Sequence, residues 1–233
     1  MNTDERHQRS GRYAVRALTT LAAVAIVVGC TTSSQGRNVE SSGFLRDYSA
    51  LKPGADGEAQ LRYINPSAKF ANYTKILMDP IAVYAADEDS ALYKVPEDEL
   101  KSIVDYLDAT VHEQLAADYT FTTKPGPDTM RLRIAVTEAK GAKVLMSAMS
   151  SVTPAGIAVN GIKKAVTGAS TGVSEASCEM ELLDSMTNTR LAAAVDSRVG
   201  GKSSSFGKWD GVKAAYDYWA QQLRARLAQM RTS

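Results

Sequence analysis

The sequence predicts an α/β fold: a single domain on a small mixed four-stranded sheet, with helices packed on one face. The predicted chain order is strand, helix, strand, insertion, antiparallel hairpin and C-terminal helix. Three observations predict it. Leu100, Ile103, Val104, Leu107, Val111 and Leu115 recur at the period of an amphipathic helix, and Trp209, Val212, Tyr216, Trp219, Leu223 and Leu227 repeat that period near the C-terminus. Residues 131–137, 175–182 and 190–196 instead alternate apolar and polar side chains, the period of a half-buried strand. At 233 residues, 44% hydrophobic and 23% charged, the chain is long and apolar enough for one core.

Residues 1–16 are polar and basic, and Ala17 to Val28 form an uncharged apolar run of the length of a signal-peptide h-region, too short to span a bilayer. The run ends in Val27-Val28-Gly29-Cys30, which resembles the lipobox of bacterial lipoprotein signals. That resemblance implies a diacylglyceryl group on the Cys30 thiol, cleavage between Gly29 and Cys30, and acylation of the new amine. The competing readings are secretory cleavage after Ala23-Val24-Ala25 and an uncleaved anchor with Cys30 as a bystander. Thr31 stands where aspartate would retain such a protein at the inner membrane, so the resemblance further implies sorting to the outer membrane. The expected organisation is a signal peptide over 1–29, a flexible tether over 30–42, and a periplasmic α/β domain over 43–233 with an insertion at about 144–171. A free tether of that length would hold the domain roughly 20 Å from the lipid. With Cys30 acylated, Cys178 has no partner for an intramolecular disulfide.

Phe44, Leu45, Tyr48 and Leu51 among Pro53, Gly54, Gly57 and Pro66 suggest an irregular packed lead-in. Tyr73 to Tyr84 reads as a strand broken or placed at an edge by Asp79-Pro80, because proline cannot donate to a ladder. Pro96-Glu97-Asp98-Glu99 opens the long helix, where proline and acids suit the first turn. After the turn cluster at Lys124 to Asp128, Leu132, Ile134 and Val136 alternate with Arg131, Arg133 and Thr137. The two strands joined by this helix are expected as parallel neighbours with a right-handed crossover. Ala176, Cys178, Met180 and Leu182, a Ser185-to-Thr189 turn, and Leu191, Ala193 and Val195 read as a hairpin. One sheet face is then apolar and covered by the last helix. The other carries Arg131, Arg133, Glu175, Glu179, Glu181, Arg190 and Arg198, read as a solvated charged face with an ionic binding site as the alternative. Val144 to Thr171 reads as a short packed helix with a mobile loop, or as an element touching a partner or membrane; Pro154, Lys163 and Lys164 exclude a simple spanning helix.

The charge balance excludes one class of function. The first 29 residues hold Arg6, Arg9, Arg12 and Arg16 against Asp4 and Glu5, so the rest of a chain of formal charge +1 is slightly acidic, without the basic excess of a nucleic-acid binder. Catalytic strings fail on their surroundings. Gly168-Ala169-Ser170-Thr171-Gly172 matches a nucleophile elbow, but the elbow needs a preceding strand and a downstream histidine, and none follows His112. His112-Glu113 begins like a zinc motif whose fifth position here is Ala116, and His7 leaves with the signal. Gly201-Lys202-Ser203 lacks the leading glycine of a phosphate loop, where Asp196 stands. Cys178 points inward by alternation and reads as an inert thiol, and Asp87, Glu88 and Asp89 read as a charged loop. No catalytic residue, cofactor or metal ligand is therefore assigned.

Ser42-Gly43-Phe44-Leu45-Arg46-Asp47-Tyr48-Ser49-Ala50-Leu51, Met78-Asp79-Pro80, the Leu182-to-Arg190 hairpin, Trp209, and Tyr216-Asp217-Tyr218-Trp219-Ala220 together resemble a domain-of-unknown-function (3313-type) lipoprotein family of Gram-negative bacteria. The resemblance runs from Gly43 to about Leu227. It implies an envelope location and an α/β domain, with no catalytic residues to carry over. The element order is also loosely similar to periplasmic domains of secretion-associated lipoproteins, in which such an insertion can become a membrane hairpin. The resulting expectation is a non-catalytic outer-membrane lipoprotein with a periplasm-facing domain for partner binding or envelope support. Its partners would be the membrane, through lipid on Cys30, and an envelope protein or a second copy of itself. A subunit of an oligomeric export assembly and a periplasmic hydrolase are the alternatives.

Overall fold

Three long strands form the centre of the molecule: β7 (Thr129–Lys140), β8 (Glu175–Asp184) and β9 (Arg190–Gly200). The computed structural model describes residues 33–36, 39, 41–85, 90–141, 174–200 and 207–232. Six short strands extend the sheet: β1 (Ser33–Gln35), β2 (Lys52–Pro53), β3 (Leu61–Ile64), β4 (Lys75–Met78), β5 (Ala82–Val83) and β6 (Thr120–Phe121). The order is β2-β3-β9-β8-β7-β4-β6, with β1 pairing β9 beyond β3 and β5 pairing β7 beyond β4. The mixed α/β class is as expected, but among the described residues the sheet has nine strands where four were predicted. The additional strands are only two to four residues long, too short for alternation to register.

β4 and β7 are parallel and joined through α1 (Glu97–Leu115). The expected break at Asp79-Pro80 divides β4 from β5: Met78 faces Leu132 and Ala82 faces Ala135, so one extra residue is accommodated there. β8 and β9 form the predicted antiparallel hairpin. Helix α1 and the second helix, α2 (Asp210–Thr232), begin at the same end of the sheet and run side by side. Glu99 accepts from Trp209, Tyr106 donates to Asp217, and Arg224 donates to Asp118 along their seam. Ile103, Leu107, Val111 and Leu115 of α1, with Val212, Tyr216, Trp219 and Leu227 of α2, bury against Met130, Leu132, Ile134, Cys178, Met180 and Leu182.

The opposite sheet face departs from its expected solvation. The lead-in crosses it and closes a second, smaller core of Phe44, Leu45, Ala135, Ala193 and Val195, with Tyr48, Leu51 and Tyr63 packed around it. Glu179 and Glu181 are consequently 0% and 4% exposed. β9 explains part of the error. Leu182 faces Ala192 but Leu183 faces Arg190, so one residue is inserted and the alternation changes phase. A one-residue slip exchanges the faces of every following side chain. Ala193 and Val195 therefore lie under the lead-in, while Ala192, Ala194, Asp196 and Arg198 are on the helix side. Arg198, expected on the charged face, instead lies 3.5 Å from the Tyr218 ring centroid under α2.

Within the stretch expected as a free tether, Ser33–Gln35 is strand β1, facing Gly200, Val199 and Arg198. The Arg198 side chain donates to the Ser33 hydroxyl at 2.7 Å and fixes this edge. Among the described residues no helix is long and apolar enough to cross a membrane. The Val144 to Thr171 insertion lies outside the described residues.

Candidate functional site

The lead-in must turn sharply to cross the sheet, and its backbone shows how. Gly43 adopts φ +99°, a conformation that side chains disfavour, and Arg46 follows at φ +64°. A non-glycine residue persists there only when its surroundings over-determine it. The Glu179 carboxylate supplies much of that determination. It accepts from the Ser42 amide at 2.6 Å, the Leu45 amide at 3.3 Å and the Tyr48 hydroxyl at 2.6 Å. The Tyr48 oxygen in turn accepts from the Gly43 amide at 2.8 Å and the Leu45 amide at 3.3 Å. Burial, and then the bond to Glu179, push the Tyr48 hydroxyl above its ordinary pKa, so it stays a neutral donor.

Arg190 holds the carbonyl side of the same turn, donating to Asp47 O at 2.7 Å, Leu45 O at 2.6 Å and the Glu181 carboxylate at 3.2 Å. Arg133 pairs with Glu181 and stacks its guanidinium 4.6 Å from the Phe44 ring centroid. Arg131 binds Asp79 bidentately at 2.9 and 2.8 Å, which raises its already high pKa. Three acids and three arginines thus balance across this face. A recess of 740 Å³ remains between the lead-in and the ends of β7 to β9, lined by Arg46, Asp79, Arg131, Arg133, Glu181 and Arg190. Asp79, Arg131, Arg133, Glu181 and Arg190 are already engaged with one another or with backbone, and through Arg190 the arrangement clamps a segment of chain to the sheet.

A second, smaller recess of 130 Å³ lies on the helix side, at the β3 edge. The short side chains of Ala192 and Ala194 leave the space open. Ile64, Leu223 and Met230 line it, with Arg62 and Arg226 among its polar groups. Beside it Trp219 donates to Asp196 at 2.8 Å, giving that buried carboxylate a partner.

Other sequence candidates are dispersed. Cys178 is buried beneath α2, and burial, with Asp196 and Glu179 nearby, pushes its thiol well above the usual range. His112 lies on the surface of α1 against Phe121, 4.1 Å between ring centroids, with its ring nitrogen 3.0 Å from Asp108 O. Among the described residues, no three histidine, cysteine or acidic side chains are grouped to hold a metal. Gly29, Cys30, Asp87 to Asp89, Ser170 within its glycine pair, and Gly201 to Ser203 lie outside the described residues. The clamp of Ser42, Tyr48 and Glu179 was not anticipated, although three acids in one strand on a face read as exposed were its signal in the sequence.

The family described as "Protein of unknown function (DUF3313)" matches residues 40–223, a span that contains the lead-in, Glu179 and Trp219. The chain is 32% identical over 156 residues to "Uncharacterized lipoprotein YdcL" of Escherichia coli (strain K12), covering 66% of this chain and 68% of that one. Among solved structures, it is similar to a PelC dodecamer from Paraburkholderia phytofirmans, with 16% identity and a TM-score of 0.37, over 73% of this chain and 94% of that one. It is also similar to a putative lipoprotein from Caulobacter crescentus CB15, with 11% identity and a TM-score of 0.34, over 71% and 94% of the two chains. Matched over most of its length and closely related in sequence to a lipoprotein, the chain belongs to the DUF3313 family of proteins of unknown function.

Proposed function

We propose that this protein is an outer-membrane lipoprotein, cleaved after Gly29 and acylated on Cys30, whose periplasm-facing domain is non-catalytic and serves partner binding or envelope support. The observation that carries the reading is the junction of signal and fold. A cysteine closes the apolar run, and strand β1 starts three residues later. The lipoprotein relative supports the anchor. The bonds from the lead-in to Glu179, and from Arg190, itself paired with Glu181, to the lead-in carbonyls, support a scaffolding role, since these charged groups hold a turn. The apolar recess beside Ile64 supports a binding role.

Intact mass of the protein extracted from membranes tests the anchor, with the expected product beginning at an acylated Cys30. A product beginning at Met1 without acyl chains overturns it. Density-gradient fractionation tests the outer-membrane assignment, which fails if the protein bands with the inner membrane. In-cell crosslinking with mass spectrometry should return a reproducible envelope partner or a self-crosslink. Hydrolysis by the purified protein that disappears on Ser170→Ala would overturn the non-catalytic assignment.

A further inference from the structure

Strand β1 begins at Ser33, three residues beyond Cys30, and it is fastened along its length. The Arg198 guanidinium donates to the Ser33 hydroxyl at 2.7 Å and to its carbonyl at 2.5 Å. Gln35 donates to Glu58 O at 2.9 Å, and the Gly36 amide donates to Ser197 O at 2.6 Å. Three residues reach at most about 10 Å when fully extended. A coil running freely from residue 30 to 42 would reach roughly 20 Å and let the domain turn in any direction. β1 removes most of that freedom, because the leash ends where the strand starts.

The register also states which part of the domain the leash meets. Ser33 faces Gly200, and Glu175 is paired with both Val199 and Lys140, so these residues share one end of the sheet. The hairpin turn with Met186, 61% exposed, is at the opposite end of ten-residue β8, about 33 Å away at 3.3 Å per residue.

We propose that the end of the sheet formed by Ser33, Lys140, Glu175 and Gly200 is the membrane-facing surface of the protein, held against the phospholipid headgroups with the 185–189 hairpin turned away. This rests on the acylation of Cys30 proposed above. Charge does not set the orientation, since Lys140 pairs with Glu138 and Glu175, and Lys208 pairs with Glu99. The covalent reach sets it, so it persists at high salt.

The test uses the full-length lipidated protein in vesicles of phosphatidylethanolamine and phosphatidylglycerol carrying a nitroxide on the headgroup. A fluorophore is placed on E175C or on M186C; Cys178, 2% exposed, gives little background, as the unsubstituted protein checks. Quenching at position 175 is expected to exceed that at 186 several-fold, unchanged by salt. A dozen Gly and Ser residues inserted between Thr32 and Ser33 should erase the difference. Equal quenching at both positions, in protein whose mass confirms an acylated Cys30, overturns the orientation and leaves the anchor standing. A difference that survives the insertion also overturns it, because the leash is then not what orients the domain. A mass without acyl chains on Cys30 overturns the anchor and the orientation together.

Discussion

Glu179 ties the lead-in to the central strand β8 through a single side chain. Its oxygens accept three hydrogen bonds from the lead-in, and it is wholly buried. Glu179→Gln keeps the shape but removes the charge and turns one acceptor into a donor facing other donors. Leaving such groups unsatisfied costs about 1–3 kcal/mol, so urea unfolding is expected to show a loss of about 2 kcal/mol with little change in slope. Asp184 gives a residue-scale prediction with a pH signature. Burial alone would raise its carboxyl, but hydrogen bonds from Thr187, Tyr73 and Met186 outweigh that and lower it. Tyr73, desolvated and donating to Asp184 at 2.8 Å, is pushed up to about 12. A lowered carboxyl stabilises the fold above its unfolded value and loses that contribution as pH falls through the folded value. A raised phenol stabilises below its unfolded value and loses its contribution as pH rises towards the folded one. The pair's contribution is therefore complete only between about pH 4 and about pH 10. Asp184→Asn should cost about 1–2 kcal/mol near neutrality, a cost that declines progressively as pH falls below about 4. A loss that stays constant through the acid range would refute the linkage.

At the scale of elements, the long helices and the β8–β9 hairpin were legible because each repeats its pattern over many residues, and the β4–β5 break because Asp79-Pro80 marks it. The misread faces of β9 had one physical cause, the inserted residue. Leu191, Ala193 and Val195 look like one apolar face, yet the bulge opposite Leu182 and Leu183 sends Leu191 to the helix core and the other two to the lead-in. Asp196 then lands beneath α2, where donors from Trp219, the Gln60 amide and the Gln35 side chain make its burial tolerable. The lead-in could be read as packed but not as placed, because neither Phe44 nor Tyr48 states which surface it meets. The break between β4 and β5 has its own chemistry. Asp79, beside Pro80, turns its carboxylate to Arg131, and Arg133 is 3.7 Å away. Arg131 is 39% exposed, which screens the pair. A double-mutant cycle of Asp79→Ala and Arg131→Ala is expected to give a coupling of about 1 kcal/mol, read from denaturation midpoints. A coupling near zero would mean that Pro80 alone sets the break.

The whole molecule is a sheet with two unequal cores, and the smaller depends on a segment that sequence patterns would class as a loop. Phe44 and Leu45 are buried on the face opposite the helices, and each contributes about 1.5–3 kcal/mol by burial. Removing the segment also strips Glu179 of its three donors and Arg190 of two carbonyl acceptors, and breaking a buried charged partnership costs about 3–5 kcal/mol. Together these approach the 5–15 kcal/mol by which a domain of ordinary size is stable at all. The lead-in is thus a part of the fold, although it carries no helix or strand between Ser42 and Leu51. A chain beginning at Ser42 loses β1 but keeps the clamp, and is expected to unfold cooperatively as a monomer at a somewhat lower denaturant concentration. A chain beginning at Lys52 exposes Ala135, Ala193 and Val195 beside uncompensated Glu179, and is expected to aggregate or to lack a cooperative transition by circular dichroism. If the two chains unfold with the same midpoint, the second core is ornamental and the family resemblance at Ser42 to Leu51 needs a different physical explanation, such as recognition of another molecule by that segment.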